Sequence, residues 1–301
     1  MTGSRPAPLD GLVGQLLGGR IVATEPARWG FSNRTELVTT ADRRRFAVGQ
    51  LVGGPLARHR VRVARLLPSI LDPVGIPTPR LVAAEPDARP ALIITSFVAG
   101  TPGPELLADP AGAVALAGEM GRLARRLRGV PPEHGRLPSA WADPLRLASV
   151  AGRWLGSLGP ELEPWTAATL ADTIGRLPVL FAGRRAVLAH GDWAPANVIV
   201  DRGRVVAVLD WEFARLADPL FDIAWWGWIV AFHHPEIHRT AWPVFLKAAA
   251  VEPDPPTTER LRSLVALRLL EALAAARRSG DPAVAAAWAE RLRRTVASGT
   301  R

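Results

Sequence analysis

The spacing of apolar positions changes near residue 100. Before it, apolar residues come in short runs of strand character: "RIVATEPARW" and "RTELVTTA" on either side of the turn "WGFSN", then "RRFAVGQLV", "GIPTPRLVAAE" and "PALIITSFV". One segment departs from this. In "ARHRVRVARLLPSIL" the apolar positions Val61, Ala64, Leu67 and Leu71 follow a helical period. "VAGTPGP", residues 98–104, is a Gly/Pro-rich connector. Beyond it the period is helical, with Leu116, Met120, Leu123 and Leu127 on one face of "AGAVALAGEMGRLARRLRGV" and arginine on the other. "DPLRLASVAGRWLGSL" and "WTAATLADTIGRL" predict two more helices. Two short strands, "NVIVD" and "VVAVLDW", interrupt around the turn "RGR", and from about Asp222 the chain returns to helices rich in Ala, Leu and Trp.

The pattern predicts an α+β chain: a small β-rich lobe at 1–97, a connector at 98–104, and a helical lobe at 105–301 carrying a β-hairpin. At 301 residues the chain can bury a sizeable core. It has no cysteine, which excludes disulfides and thiolate metal sites. The start lacks the regions of a signal peptide, and the longest apolar run, "IAWWGWIVAF", is too short to span a bilayer. The expectation is a cytoplasmic protein with no membrane partner. The net charge of +9 is almost all arginine, since Lys247 is the only lysine. Those arginines are scattered and read as solvated helix faces, not as a nucleic-acid surface. The field they create favours a neutral or anionic small molecule over a polycation.

One stretch does not fit a core: "VLAHGDWAPANVIVDRGRVVAVLDWEFARLADPLFDIAWW", residues 187–226. Asp192 precedes the first short strand, Asn197 starts it, and Asp210 ends the second. A hairpin brings strand ends together, so Asn197 and Asp210 should approach at one rim. An amide oxygen and a carboxylate suit Mg²⁺, which completes its shell with water and phosphate. A carboxylate nearby but off the metal, Asp192, can accept a proton from a hydroxyl. Together these are parts for phosphoryl transfer.

"HGDWAPAN" followed by "VLDWE" and "ADPLFDIAWW" resembles the catalytic and metal loops of the aminoglycoside phosphotransferase/choline kinase family, relatives of protein kinases. The resemblance implies a two-lobed kinase-like fold, ATP or GTP as phosphate donor, and a small-molecule hydroxyl acceptor such as an antibiotic or metabolite. It implies Asp192 as catalytic base, His190 as a loop-positioning residue, Asn197 and Asp210 as Mg²⁺ ligands, and Asp222 as a brace for the catalytic loop. Asp218 reads as a turn or cap residue. The nucleotide base would lie against the connector near Ser96 and Val98. The acceptor would lie near Trp193, Trp225 and Glu271, although the tryptophans also suit a buried helix.

The small lobe departs from the family pattern. Gly30, Ser32 and Asn33 suit a tight turn whose N–H groups face phosphate, with Arg34 beside them. The family usually places Lys or Arg on the next strand, held by a Glu on the following helix. Here the aligned position is Gly49, and no acid occurs between Arg43 and Leu71. Either an arginine among Arg34, Arg58, Arg60 and Arg62 serves the phosphates, or the chain is a kinase-like binding or sequestering protein. "FHHPEIH", with His233, His234 and His238, reads as helix-start and surface histidines rather than a metal site.

Overall fold

The structure, a computed structural model, describes residues 7–27, 34–131, 137–158 and 162–299. The chain divides into two compact units. One takes in the chain up to Leu116 together with Pro195–Glu212, and the other takes in Ala117–Ala194 and Phe213 onward. The division differs from the one expected at 98–104. It falls inside a helix, and the hairpin belongs to the first unit.

The first unit is built on a five-stranded antiparallel sheet. Its strands are β1 (Ile21–Pro26), β2 (Arg34–Thr40), β3 (Arg45–Leu51), β4 (Leu81–Glu85) and β5 (Ala91–Ser96), in the order β1-β2-β3-β5-β4. Alternation fixes which face is covered: Val38, Phe46, Val48, Leu92 and Ile94 are buried together with Val13 and Leu17 of α1 (Ala7–Leu17). This first helix was not legible in the sequence, because Gly11 and Gly14 dilute its apolar period.

Between β3 and β4 runs α2 (Pro55–Leu71), the helix expected from the spacing, with Val61, Val63, Leu67 and Leu71 buried. The unit continues through β6 (Thr101–Pro102), α3 (Gly103–Leu106) and the first part of α4 (Pro110–Leu127). It is completed by the hairpin of β8 (Val198–Asp201) and β9 (Arg204–Val208), which with β6 forms a sheet in the order β6-β8-β9.

The second unit is helical. It holds the rest of α4, then α5 (Pro144–Leu158), α6 (Pro164–Leu180), α7 (Phe221–His233), α8 (Pro235–Ala249), α9 (Pro255–Ser279) and α10 (Pro282–Gly299). A two-stranded antiparallel pair, β7 (Val187–Ala189) with β10 (Arg215–Ala217), brings the chain before Asp192 beside the chain after Asp210. α7 is apolar all round, and Trp225, Trp226 and Trp228 are 2%, 1% and 7% exposed. Trp226 lies flat against Phe245, ring centroids 4.1 Å apart. The tryptophan-rich segment is therefore a packed helix. Among the described residues no helix is long and apolar enough to cross a membrane.

Candidate active site

The first unit contains a cavity of about 580 Å³, lined by residues from both of its sheets and from α2. Ser96 and Val98 line it at the end of β5, and Asn197 and Asp210 line it from the hairpin. The pairing explains the second placement. Val198 sits opposite Val208, and the Leu209 N–H donates to the Asn197 carbonyl at 2.8 Å, so the residues flanking the two strands are held side by side. Asp210 itself has φ of 54°, a left-handed conformation that Asp tolerates better than most residues. Trp211 anchors the turn that follows, its indole N–H donating to the Val208 carbonyl at 3.1 Å. Among the described residues no group of three or more His, Cys, Asp or Glu could hold a metal, His233, His234 and His238 included.

Gly49 lines the same cavity from β3, between Thr35 on β2 and Ile93 on β5. A Cβ there would come within 3.0 Å of Ile93 Cγ2, so a side chain at this position would require the Ile93 methyl group to shift. Of the arginines weighed as substitutes on α2, Arg60 lines the cavity and is ion-paired with Glu212. Arg58 pairs with Asp87 at 2.7 Å, and Arg62 bonds His59 Nδ1 at 2.9 Å. Gly30, Ser32 and Asn33 lie outside the described residues, as does the side chain of Arg34, whose backbone begins β2.

The second unit holds the loop with Asp192, three residues before the chain crosses into the first. Its backbone is braced from α7. Asp222 accepts the His190 N–H at 2.7 Å through Oδ2 and the Gly191 N–H at 3.0 Å through Oδ1. Burial pushes the Asp222 carboxyl up to about 6, against the pull of those two bonds and of Arg215. Fully buried His190 accepts the Asp192 N–H on Nδ1 at 3.1 Å, closing the turn from inside. Gly191 is required here: its φ is 87°, and a Cβ would lie 2.1 Å from the Phe213 carbonyl oxygen. Asp192 Oδ1 accepts the indole N–H of Trp225 at 2.7 Å. Asp218 caps the approach to α7, its carboxylate accepting the Leu220 N–H at 2.8 Å and pairing with Arg184.

The three residues expected at the acceptor pack or pair within the second unit. Trp193 is 1% exposed and meets His190 edge-on. Trp225 is buried with its N–H on Asp192. Glu271 accepts from Arg215 at 2.8 Å, from Arg268 at 3.2 Å and from the Trp141 indole at 3.2 Å. Burial alone would raise the Glu271 carboxyl, but the two guanidinium groups outweigh it and hold it below the usual range. These are the packing and charge pairing of the three residues expected at the acceptor.

Sequence reasoning missed Arg215 and Arg268. Arg268 lies over the rings of Phe213 and Trp225, at 5.0 and 5.2 Å, and feels the charge of Asp192. A signal existed: "LVALRLLEAL" sets Arg268 and Glu271 one turn apart in an otherwise apolar run.

A family model described as the phosphotransferase enzyme family (APH) matches residues 23–242. The chain belongs to this family. Its structural likenesses include phosphotransferases. It covers 95% of its length against 97% of macrolide 2'-phosphotransferase MphH from Brachybacterium faecium, at 20% identity and a TM-score of 0.70. Against the GDP complex of aminoglycoside 2'-phosphotransferase-IIIa the coverage is 99% and 100%, at 15% identity and a TM-score of 0.78. A thermostable mutant of aminoglycoside phosphotransferase APH(4)-Ia with ADP and hygromycin B is similar over 98% and 100%, at 15% identity and a TM-score of 0.70. At these identities the likeness is one of fold, and it agrees with the kinase-like α+β arrangement expected from the sequence. No curated protein matches the chain.

Proposed function

We propose that this phosphotransferase moves the γ-phosphoryl group of ATP or GTP to a hydroxyl of a small, neutral or anionic acceptor. The observation that carries the reading is the cavity of the first unit, on which Ser96, Val98, Asn197 and Asp210 converge. Its volume suits a nucleotide. GDP and ADP are named in the complexes of the similar phosphotransferases.

The nucleotide base takes the Ser96–Val98 end and the phosphates the Asn197–Asp210 end. The donor set there fits Mg²⁺ rather than a metal held by protein alone: one amide oxygen and one carboxylate leave most of the shell to phosphate and water. Bound to Asn197 and Asp210, the ion would neutralise charge on the phosphate oxygens. Asp192 accepts the proton of the acceptor hydroxyl as its oxygen attacks. The new O–P bond forms as the bond from Pγ to the β-phosphate oxygen breaks, and the nucleoside diphosphate leaves with that electron pair. The Trp225 N–H fixes one Asp192 oxygen, and His190 and Asp222 hold the backbone on which it stands.

The acceptor class follows from charge. Amines need free carboxylates, and buried Glu271 of the second unit is already matched by two arginines. The net charge of +9 also repels polycations at long range. A nucleoside, sugar or macrolide-type acceptor fits better than an aminoglycoside. The test is a mass-spectrometric screen of pooled antibiotics and metabolites, with Mg-ATP and Mg-GTP, for a gain of one phosphoryl group. The absence of a side chain at Gly49 favours a second reading, a binding or sequestering protein. That reading predicts ligand retention without mass gain and no stabilisation by either nucleotide.

A further inference from the structure

The cavity carries its buried cation on a helix rather than on the sheet. Among the described residues that line it, the guanidinium groups are Arg45 and Arg60. Arg45 is 41% exposed and lies over the Phe97 ring at 4.0 Å. The Arg60 side chain is only 9% exposed, comes from α2 and is ion-paired with Glu212, itself 6% exposed. The Arg60 Nε is buried with no hydrogen-bond partner. A buried donor without a partner costs about 1–3 kcal/mol, more on a charged group, so its retention calls for an occupant. Gly49, which lines the same cavity from β3, offers no side chain there.

We propose that Arg60, held by Glu212, binds the α- and β-phosphates of the nucleotide in place of an amine from β3. The assignment rests on the nucleotide reading of the cavity. Glu212 can occupy only part of the guanidinium fork, and the remaining N–H groups match phosphate oxygens in a bidentate manner. Glu212 follows Asp210 by two residues, so the ion pair ties α2 to the segment that carries a proposed metal ligand.

The experiment measures affinities for ADP and adenosine, and for GDP and guanosine, by titration calorimetry in EDTA. The wild-type chain should bind a diphosphate more tightly than its nucleoside. Arg60→Ala should lose about 10- to 100-fold for the diphosphate and nothing for the nucleoside, the range expected for a charged hydrogen bond. Arg60→Lys should recover part of the loss, and Arg62→Ala should behave as wild type. Undiminished diphosphate affinity in Arg60→Ala, or an equal loss for the nucleoside, overturns the proposal. If Arg60→Ala does not fold, Glu212→Gln and Arg60→Lys decide: wild-type diphosphate affinity in both overturns it, and a selective loss supports it. A wild-type chain that binds nucleoside and diphosphate equally removes the role of Arg60 alone. One that binds neither removes the nucleotide reading as well.

Discussion

Between about pH 4 and 6 the Asp222 carboxyl holds a proton in the folded chain that it would lose on unfolding. The folded state therefore binds more protons in that window, and the contribution of this group to stability falls as pH rises. It is complete below the ordinary carboxylate value and lost above about 6, with a span of about 3 kcal/mol. Asp222→Asn should flatten the stability curve between pH 4 and 6 relative to wild type, as read from urea midpoints at each pH. Asp192 carries a different kind of prediction. Asp192→Asn keeps the Trp225 contact yet cannot take a proton, and should lower kcat by about 100- to 10,000-fold with the nucleotide KM unchanged. Trp225→Phe keeps the ring and deletes the N–H at 2.7 Å. It should lower kcat by about 10-fold, again without moving the nucleotide KM. Steady-state kinetics checks both.

At the scale of elements, the turn between β7 and the Asp192 loop has no tolerance. Gly191→Ala meets the Phe213 carbonyl in a left-handed conformation, and should cost at least about 2 kcal/mol, measured by chemical denaturation. The elements that could be read from the sequence are those with a sustained period. α2, α5 and α6 announce themselves by helical spacing, and β8 and β9 by apolar runs around a turn. β6, β7 and β10 are too short for any alternation to register, and their partners are distant in sequence. The same limit governs the site. Asn197 and Asp210 were legible because one hairpin joins them. The Arg60–Glu212 and Arg215–Glu271 pairs were not, because each joins elements that no local pattern connects. The partner of Glu271 was hidden for that reason: nothing near it in the sequence reveals the guanidinium delivered by β10.

For the whole molecule, a ligand that binds only the folded state must raise its stability. Mg-nucleotide at 100 times its dissociation constant should add about 2.7 kcal/mol. Asp210→Ala should abolish the metal-dependent part of that gain, which thermal-shift titration with and without Mg²⁺ will measure. The fold as a whole was legible from the order of a β-rich part, a connector and a helical part. Where the two units divide was not, since the cut lies within the continuous helix α4.

The bare strand wall at Gly49 also bears on how such a protein would be detected. Reagents that profile nucleotide-binding enzymes by acylating an amine beside the phosphates depend on a nucleophile that this cavity does not offer among its described residues. Lys247, the sole ε-amine of the chain, sits on α8 in the helical unit. A chemoproteomic survey of that kind should find no lysine to label among the described residues that line this cavity.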